Sequence, residues 1–440
     1  MKRINRRRFL QSSLGAAGVF ALGGCASQPK STWLRATPPP RRGPNEEIRI
    51  AVVGIRGQGQ AHIKGHSAAK DVRVVTLCDI DERLFAERIK LCEAAGKPAP
   101  KTVVDVRRVL EDKDVDVISI ATPNHTHALI TVWACQAGKD VYVQKPGSHN
   151  IFEGRQMIAA ARKYGRIVQH GTQSRSAAGV KEAMKLLHEG IIGDVYMARA
   201  LCFKPRHSIG IKPDGEVPEG VHYDLWLGPA PVRPFNPNRF HYEWHWNWDY
   251  GNGDIGNQGV HQMDLAVWGL GKDGEHPVRA QSMGGRYTYT DQGETPNTQV
   301  ATLQYADGKM LVFEVRGRQT NKEWDVGIGN LFYGSKGYMA LRGDSFETVI
   351  DGEPGPKGKG GGNPWEDFHD AVRSGTPADL NAEITKGHYS STCCHLANIA
   401  YRLGRSVAFD PKTETFPGDR EANAMVSRRY RAPFIVPKNV

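Results

Sequence analysis

The stretch that most limits what this chain can become is Ile48-Arg49-Ile50-Ala51-Val52-Val53-Gly54, an apolar run that breaks into Gly54-Ile55-Arg56-Gly57-Gln58-Gly59. Such a run reads as a strand buried on both faces, and a helical pattern through His62 and His66 follows it. Glycines at a strand-to-helix turn let backbone N–H groups approach a pyrophosphate at the helix N-terminus. The spacing is Gly-x-x-Gly-x-Gly, a departure from the usual dinucleotide fingerprint, so the next strand has to carry part of the argument. That strand runs from Val72 to Leu77 and leads to Asp79, twenty residues after Gly59. A carboxylate there accepts from a ribose 2′-hydroxyl and repels a 2′-phosphate, which favours NAD, while Arg83 nearby leaves NADP open.

The alternation continues. Val104-Asp105-Val106 enters a helix, Val115 to Ala121 is a buried strand, Thr126 to Ala137 is helical, and Asp140 to Val143 is another strand. Strands interleaved with helices at this rhythm predict an α/β fold with a parallel sheet, a Rossmann domain over residues 47–171. Ligands of such sheets bind at the carboxyl ends of the strands. The cofactor-binding candidates are therefore Gly54, Arg56, Gly57, Gln58, Gly59 and Asp79 from the first two strand ends. Thr122, Pro123, Asn124 and His127, then Gln144 and Lys145, come from the later ones.

Composition needs correcting for the N-terminus. Asn5-Arg6-Arg7-Arg8-Phe9-Leu10 reads as a twin-arginine signal, and the apolar run Leu14 to Leu22 is too short to span a bilayer permanently. Leu22-Gly23-Gly24-Cys25 resembles a bacterial lipobox, with Cys25 the residue to be lipidated; an ordinary cleaved signal is the alternative. Residues 1–25 are thus expected to be an address, and residues 26–46, rich in proline, a tether. Residues 1–46 contribute +8 of the formal +11, leaving +3 for residues 47–440. The basic balance belongs to the leader and gives no support for nucleic acid; the signal and lipobox motifs make the export machinery and a possible lipid anchor the expected partners. The expectation is a periplasmic or membrane-anchored protein. The other six cysteines, with no metal-site spacing, read as buried thiols of a protein folded before export.

Beyond the nucleotide half, residues 172–440 predict an α+β domain with a large, mostly antiparallel sheet. Val278 to Tyr289, Thr298 to Tyr305, Met310 to Gln319 and Val326 to Leu341 alternate at period two. An oligomer built through that sheet is compatible with the pattern. Gly355 to Gly362 reads as a flexible loop, and two helices, near Trp365 to Arg373 and Ala382 to Leu403, close the chain. Gln173 and Arg175, at the crossing between the halves, are candidate ligand contacts. Lys204 to Asn252 is irregular and holds the aromatic run His241 to Tyr250, where Trp244 and His245 suit the faces and hydroxyls of a sugar. A local aromatic core that pins the loop fits the same residues. His241, His245 and His261 make a metal conceivable, but no carboxylate or cysteine spacing supports one, so no metal is expected.

A glycine-rich turn from Asp249 then leads into an apparent helix starting near Asp254. Asn257, His261 and Asp264 fall at i, i+4 and i+7, which places them on one face. With Ala121-Thr122-Pro123-Asn124-His125-Thr126-His127 and Gln144-Lys145-Pro146, this chain resembles the Gfo/Idh/MocA oxidoreductases, named in part for glucose–fructose oxidoreductase and inositol dehydrogenase. The likeness runs from Ile48 to Asp410. It implies that Lys145 hydrogen-bonds the substrate hydroxyl and the nicotinamide ribose and that His261 is the acid/base. The family's aspartate four residues before that histidine is Asn257 here, and the glutamate before its lysine is Gln144. Asn257 takes up no proton, so Asp264 or Asp254 is the expected substitute.

Hydride transfer at a carbinol carbon needs a nicotinamide, a base for the hydroxyl proton and a cationic donor for the developing alkoxide. His261 and Lys145 supply the last two. The expected protein is an exported oxidoreductase that retains its cofactor and acts on a secondary alcohol of a sugar or cyclitol. Two alternatives use the same parts: an NAD-dependent glycosidase or lyase acting by transient oxidation and elimination, and a non-catalytic sugar-binding lipoprotein.

Overall fold

The structure is a computed structural model that describes Gly43 and residues 46–440. The expected export signal with Cys25, and the expected linker apart from Gly43 and Glu46, lie outside the described residues.

Six strands make the first sheet: β1 (Ile48–Val53), β2 (Val72–Cys78), β3 (Lys101–Val103), β4 (Val117–Ile120), β5 (Asp140–Val143) and β6 (Val168–His170). All are parallel, in the order β3-β2-β1-β4-β5-β6. β4 and β5 are buried along their whole length, which is why they are continuous apolar runs rather than alternating ones. The order reverses between β1 and β4. Helices leave the sheet on opposite sides there and open a crevice at the strand carboxyl ends.

The second sheet has nine strands. They are β7 (Val195–Cys202), β8 (Arg279–Gly285), β9 (Thr298–Gln304), β10 (Met310–Arg316), β11 (Ile328–Gly334), β12 (Gly337–Arg342), β13 (Ser345–Ile350), β14 (Glu353–Lys359) and β15 (Val407–Ala408). Their order is β14-β13-β12-β11-β7-β10-β9-β8-β15, antiparallel throughout except between β7 and β10. Period-two alternation follows from one covered face: Ala301, Leu303, Leu311 and Phe313 turn inward, while Val300 and Met310 remain exposed. The inward side chains pack with Met263 and Ala266 of the helix Val260–Gly269 and with Leu396 and Ala397 of the helix Ile384–Leu403.

Two expectations need correction. Gly355 to Gly362 is not wholly a loop, because residues up to Lys359 belong to edge strand β14. Backbone pairing with β13 holds it, and its side chains are largely exposed, so it carries no apolar period to read. The helix expected from Asp254 opens instead with a π-helical turn, Ile255–Gly259, before Val260–Gly269 runs as α-helix. The wider turn breaks the simple i, i+4, i+7 face.

Residues 204–252 are irregular apart from short turns such as Tyr223–Leu227 and Glu243–Trp246. Trp226, Phe235, Phe240 and Tyr250 bury together and pin the segment. The six described cysteines are free and buried. Among the described residues no helix is long and apolar enough to cross a membrane.

Candidate active site

The glycine turn is shaped by close approach. Gly54 has φ +82°, and a Cβ on Gly59 would lie 2.0 Å from the Gly54 carbonyl oxygen. The helix Gln58–Ser67 begins with no side-chain cap; Arg56, Gly57 and Gln58 are exposed and line the crevice, while the N–H groups of Gly59 and Gln60 donate to the Arg56 and Gly57 carbonyls. A glycine turn at a helix start is where a pyrophosphate sits in sheets of this kind. Asp79 closes the second strand end: its oxygens accept from Ile55 N (2.8 Å) and Asp81 N (3.0 Å), and its remaining lone pairs line the cavity. Burial pushes its carboxyl up to about 6 against those donors. Arg83 is engaged by Asp81 through two 2.7 Å bonds, so its guanidinium is committed to a carboxylate and not to a 2′-phosphate.

The next two strand ends are stapled together. His127 sits 2.7 Å from the Thr122 carbonyl and 2.8 Å from the Pro146 carbonyl, and burial lowers its ring to about 4. Asn124 donates to Asn252 Oδ1 (3.1 Å), drawing the loop before the π turn onto the nucleotide half. Lys145 then projects across: Nζ donates to the Asn257 carbonyl at 2.5 Å and lies 3.4 Å from its Oδ1. A π turn leaves carbonyls without their usual helical partner, and Lys145 uses one. Burial lowers the Lys145 ammonium to about 8, with Asp254 pulling the other way.

These groups surround a cavity of about 320 Å³ lined by Gly54, Asp79, Thr122, Pro123, Gln144, Lys145 and Asn257 on the cofactor side. Tyr242, Trp244 and His245 line it as well. His245 stacks on Trp244 with centroids 3.6 Å apart, donates Nδ1–H to the Tyr242 carbonyl (2.6 Å), and is kept neutral by burial, which lowers it to about 3. Its Nε2 is thereby an acceptor. Tyr242 OH accepts from Arg206 (3.1 Å) and from Asn257 Nδ2 (3.4 Å). Of the aromatic run, Tyr250 is buried with Trp226 and Phe240, while Trp244, which packs against that cluster, and His245 line the cavity, as Trp226 and Phe240 also do.

Of the remaining candidates, His261 is partly buried and neutral, its ring held well below the usual range by burial and by the Lys145 charge. It stands near that lysine but outside the cavity lining. Asp264 and Arg175 are brought together, with each other rather than with a ligand. Arg175 donates to Asp264 (2.8 and 2.9 Å) and to Asp273 (2.8 and 2.7 Å), and Ser390 donates to Asp264 (2.6 Å). Four of its five N–H donors are used, and Arg175, buried and outside the cavity lining, is committed with Asp264 to this cluster rather than to a substrate. Asp254 pairs likewise with Arg206. Gln173, in a 3₁₀ turn, is outside the cavity lining. Tyr242, Arg206 and the C-terminal Phe434, which also lines the cavity, were not singled out by sequence, since no spacing links them to Lys145. Among the described residues the side chains close enough to share an ion are His276, His388 and Glu414, none of which lines the cavity.

A parallel sheet in this strand order, a helix start over a glycine turn and a lysine after β5 at the same edge of the sheet together define a dinucleotide-binding crevice. A family model described as "Oxidoreductase family, NAD-binding Rossmann fold" matches residues 48–172. A second, "Oxidoreductase family, C-terminal alpha/beta domain", matches residues 178–436. The chain belongs to the Gfo/Idh/MocA family of NAD(P)-dependent oxidoreductases. It is 34% identical over 141 residues to a "Glycosyl hydrolase family 109 protein" of Stenotrophomonas maltophilia, covering 31% of this chain and 28% of that one. It is 27% identical over 304 residues to "Uncharacterized oxidoreductase YrbE" of Bacillus subtilis, covering 69% and 76%. The chain spans well under two thirds of the length of the first curated relatives it matches, 38% and 28% in two of them. In fold it is similar to an aldose-aldose oxidoreductase from Caulobacter crescentus, with TM-score 0.62, 20% identity and coverage of 83% of this chain and 100% of that one. It is also similar to a WlbA dehydrogenase crystallised with NADH and UDP-GlcNAcA, with TM-score 0.63, 19% identity and coverage of 85% and 98%.

Proposed function

We propose that the protein moves a hydride between bound NAD and a secondary alcohol carbon of a sugar, sugar derivative or cyclitol, and keeps the dinucleotide between turnovers. The observation that carries this reading is the Lys145 ammonium, set on the Asn257 carbonyl in a cavity that Tyr242, Trp244 and His245 also line. Bound NAD supplies the hydride-accepting ring. Lys145 donates to the substrate oxygen and steadies the charge that develops there. His261, neutral and near that lysine, takes the hydroxyl proton. Trp244 offers its face to the apolar side of a sugar ring, and Tyr242 and His245 offer hydrogen bonds to its hydroxyls. The test is mass analysis of the dinucleotide freed from purified protein, then a sugar panel followed by cofactor fluorescence. Protein that neither releases nor takes up NAD would sink the proposal.

A second reading, redox-neutral glycoside cleavage, is favoured by further polar groups that line the same cavity as Lys145. Tyr242 OH beside Arg206 and the open Nε2 of His245 add a further acid and base on the substrate side. The relative named for a glycosyl hydrolase family points the same way. Aglycone release from chromogenic glycosides without added cofactor, lost in His261→Ala, selects this reading; turnover that requires an acceptor selects the dehydrogenase.

The proposal includes export of the folded holoprotein and attachment through Cys25, supported by the Arg6-Arg7 pair and Leu22-Gly23-Gly24-Cys25. Free NAD is scarce outside the cytoplasm, so retention of the cofactor follows from that route. Cell fractionation of an Arg6→Lys/Arg7→Lys variant checks it, with cytoplasmic accumulation expected.

A further inference from the structure

A line of five buried polar side chains leaves the crevice at Gln144 and crosses the interior of the nucleotide-binding half. Gln144 Nε2 is 2.9 Å from His62 Nε2, and His62 Nδ1 is 2.8 Å from Ser119 Oγ. Ser119 Oγ is 2.8 Å from His66 Nε2, and His66 Nδ1 is 2.9 Å from His369 Nε2. None of the five is more than 4% exposed. Trp365 lies edge-on to both His62 and His66, with centroids 4.9 and 4.8 Å away, and Tyr142 packs beside them.

The direction of donation along this line follows from its first member. The Lys145 main-chain N–H donates to Gln144 Oε1 (3.3 Å), which turns the amide NH2 group toward His62. An amide nitrogen only donates, so His62 Nε2 must accept. Burial keeps all three rings neutral: His62 and His369 are lowered to about 3, and His66 lies well below its usual range. A neutral imidazole carries one N–H, which places the His62 proton on Nδ1, donating to Ser119. The Ser119 hydroxyl then donates to His66 Nε2, and His66 Nδ1–H donates to His369. The reverse at His66 would point two ring protons at Ser119 and strand its hydroxyl proton, since no other acceptor approaches Ser119 among the described residues.

We propose that Gln144 is a positioning residue: its amide imposes one direction of donation through His62, Ser119, His66 and His369, and that line locks the amide bracing the Lys145 main chain. The glutamate that the family resemblance would place here only accepts when ionised, so the direction belongs to this chain's glutamine.

The test is long-range nitrogen–proton correlation NMR on the intact protein carrying isotope-labelled histidine, with the rings assigned through single His62→Gln, His66→Gln and His369→Gln variants. In the native protein His62 and His66 are expected to be neutral and protonated at Nδ1. A proton on Nε2 of either overturns the proposal. Gln144→Met keeps the side-chain length and removes the donor, and His62 should then exchange between tautomers; an unchanged His62 overturns the proposal as well. Should Gln144→Met not fold, Ser119→Ala breaks the line one step further on. His62 should then keep its Nδ1 proton while His66 is released, and a His66 still fixed at Nδ1 would show that its tautomer is set elsewhere, which sinks the idea.

Discussion

Lys145 Nζ donates to the main-chain carbonyl of Asn257 across 2.5 Å, so the cationic donor at the cavity edge is held by a dipole and not by a carboxylate. Burial then lowers its pKa from 10.5 to about 8, within reach of ordinary assay conditions. A donor to a developing alkoxide must carry its proton, so kcat/KM should fall as pH rises through about 8. Lys145→Met should lose turnover by roughly 10²- to 10⁴-fold. Stability moves the other way. The unfolded chain holds this proton up to 10.5 and the folded one only to about 8, so the lysine destabilises the fold below 8 and this penalty fades between those values. Lys145→Met should therefore raise Tm near neutrality, by a margin that shrinks toward pH 10.5. A margin that does not depend on pH would refute the buried-ammonium account.

Asp79 and Arg83 make a separate prediction about cofactor choice. With Arg83 bound by Asp81, NAD should be taken up in preference to NADP, and Asp81→Asn should free Arg83 and raise NADP uptake relative to NAD. Asp79 accepts more strongly from a ribose, and through more lone pairs, when ionised than when protonated, so NAD affinity should drop as pH falls through about 6. In the protein without cofactor the sign is opposite. The folded state keeps the Asp79 proton up to about 6 and the unfolded chain loses it near 3.8, so this group lowers stability as pH rises across that window. Calorimetric titration with each dinucleotide at several pH values decides both points.

How much of this was legible in the sequence depended on whether a residue acts through its local pattern or through a distant partner. Gly54 to Gly59, Asp79 and Gln144-Lys145 declare themselves because a strand end followed by a turn is a local pattern, and the parallel sheet puts all strand ends in one place. β14 stayed hidden because it pairs by backbone alone, and the π turn because its widening depends on packing around residues 255–259. Arg175 and Asp264, 89 positions apart, read as site residues for want of any sequence sign that they neutralise each other. Tyr242 is displaced in the same way: its neighbour Arg206 lies 36 positions earlier.

The Arg175 cluster predicts a loss of stability rather than of recognition. Replacing Arg175 by Met leaves Asp264, fully buried, beside Asp273 with no cation between them. Breaking one partner of such a pair costs about 3–5 kcal/mol. Urea unfolding should show that loss, and Trp268, whose ring lies under the guanidinium at 4.8 Å, should report it in fluorescence. Intact stability with weakened sugar binding would return Arg175 to the ligand site.

His261 and His245 are separated by which kinetic constant they move. His261 sits near Lys145 outside the cavity lining, so His261→Asn should reduce kcat while sugar binding persists. His245 lies on the cavity wall against Trp244, so His245→Asn should raise KM several-fold with a smaller change in kcat. Swapped effects would assign the proton transfer to His245 and leave His261 a packing role.

Asn257→Asp tests the lysine and the π turn together. It places a carboxylate where the amide oxygen now lies 3.4 Å from Lys145 Nζ and removes the amide donor to Tyr242 OH. An opposite charge at that distance favours the ammonium, typically by 1–3 pKa units. The alkaline limb of the pH–rate profile should therefore move upward from about 8, and Tm should rise in the same range as the buried cation gains a counter-ion. Because the main-chain carbonyl is untouched, Lys145 should keep its position, and the sugar specificity set by Trp244 and His245 should be preserved. An alkaline limb that stays at its native pH in the folded variant would mean that it does not report Lys145, and the donor role would pass to another group on the cavity wall.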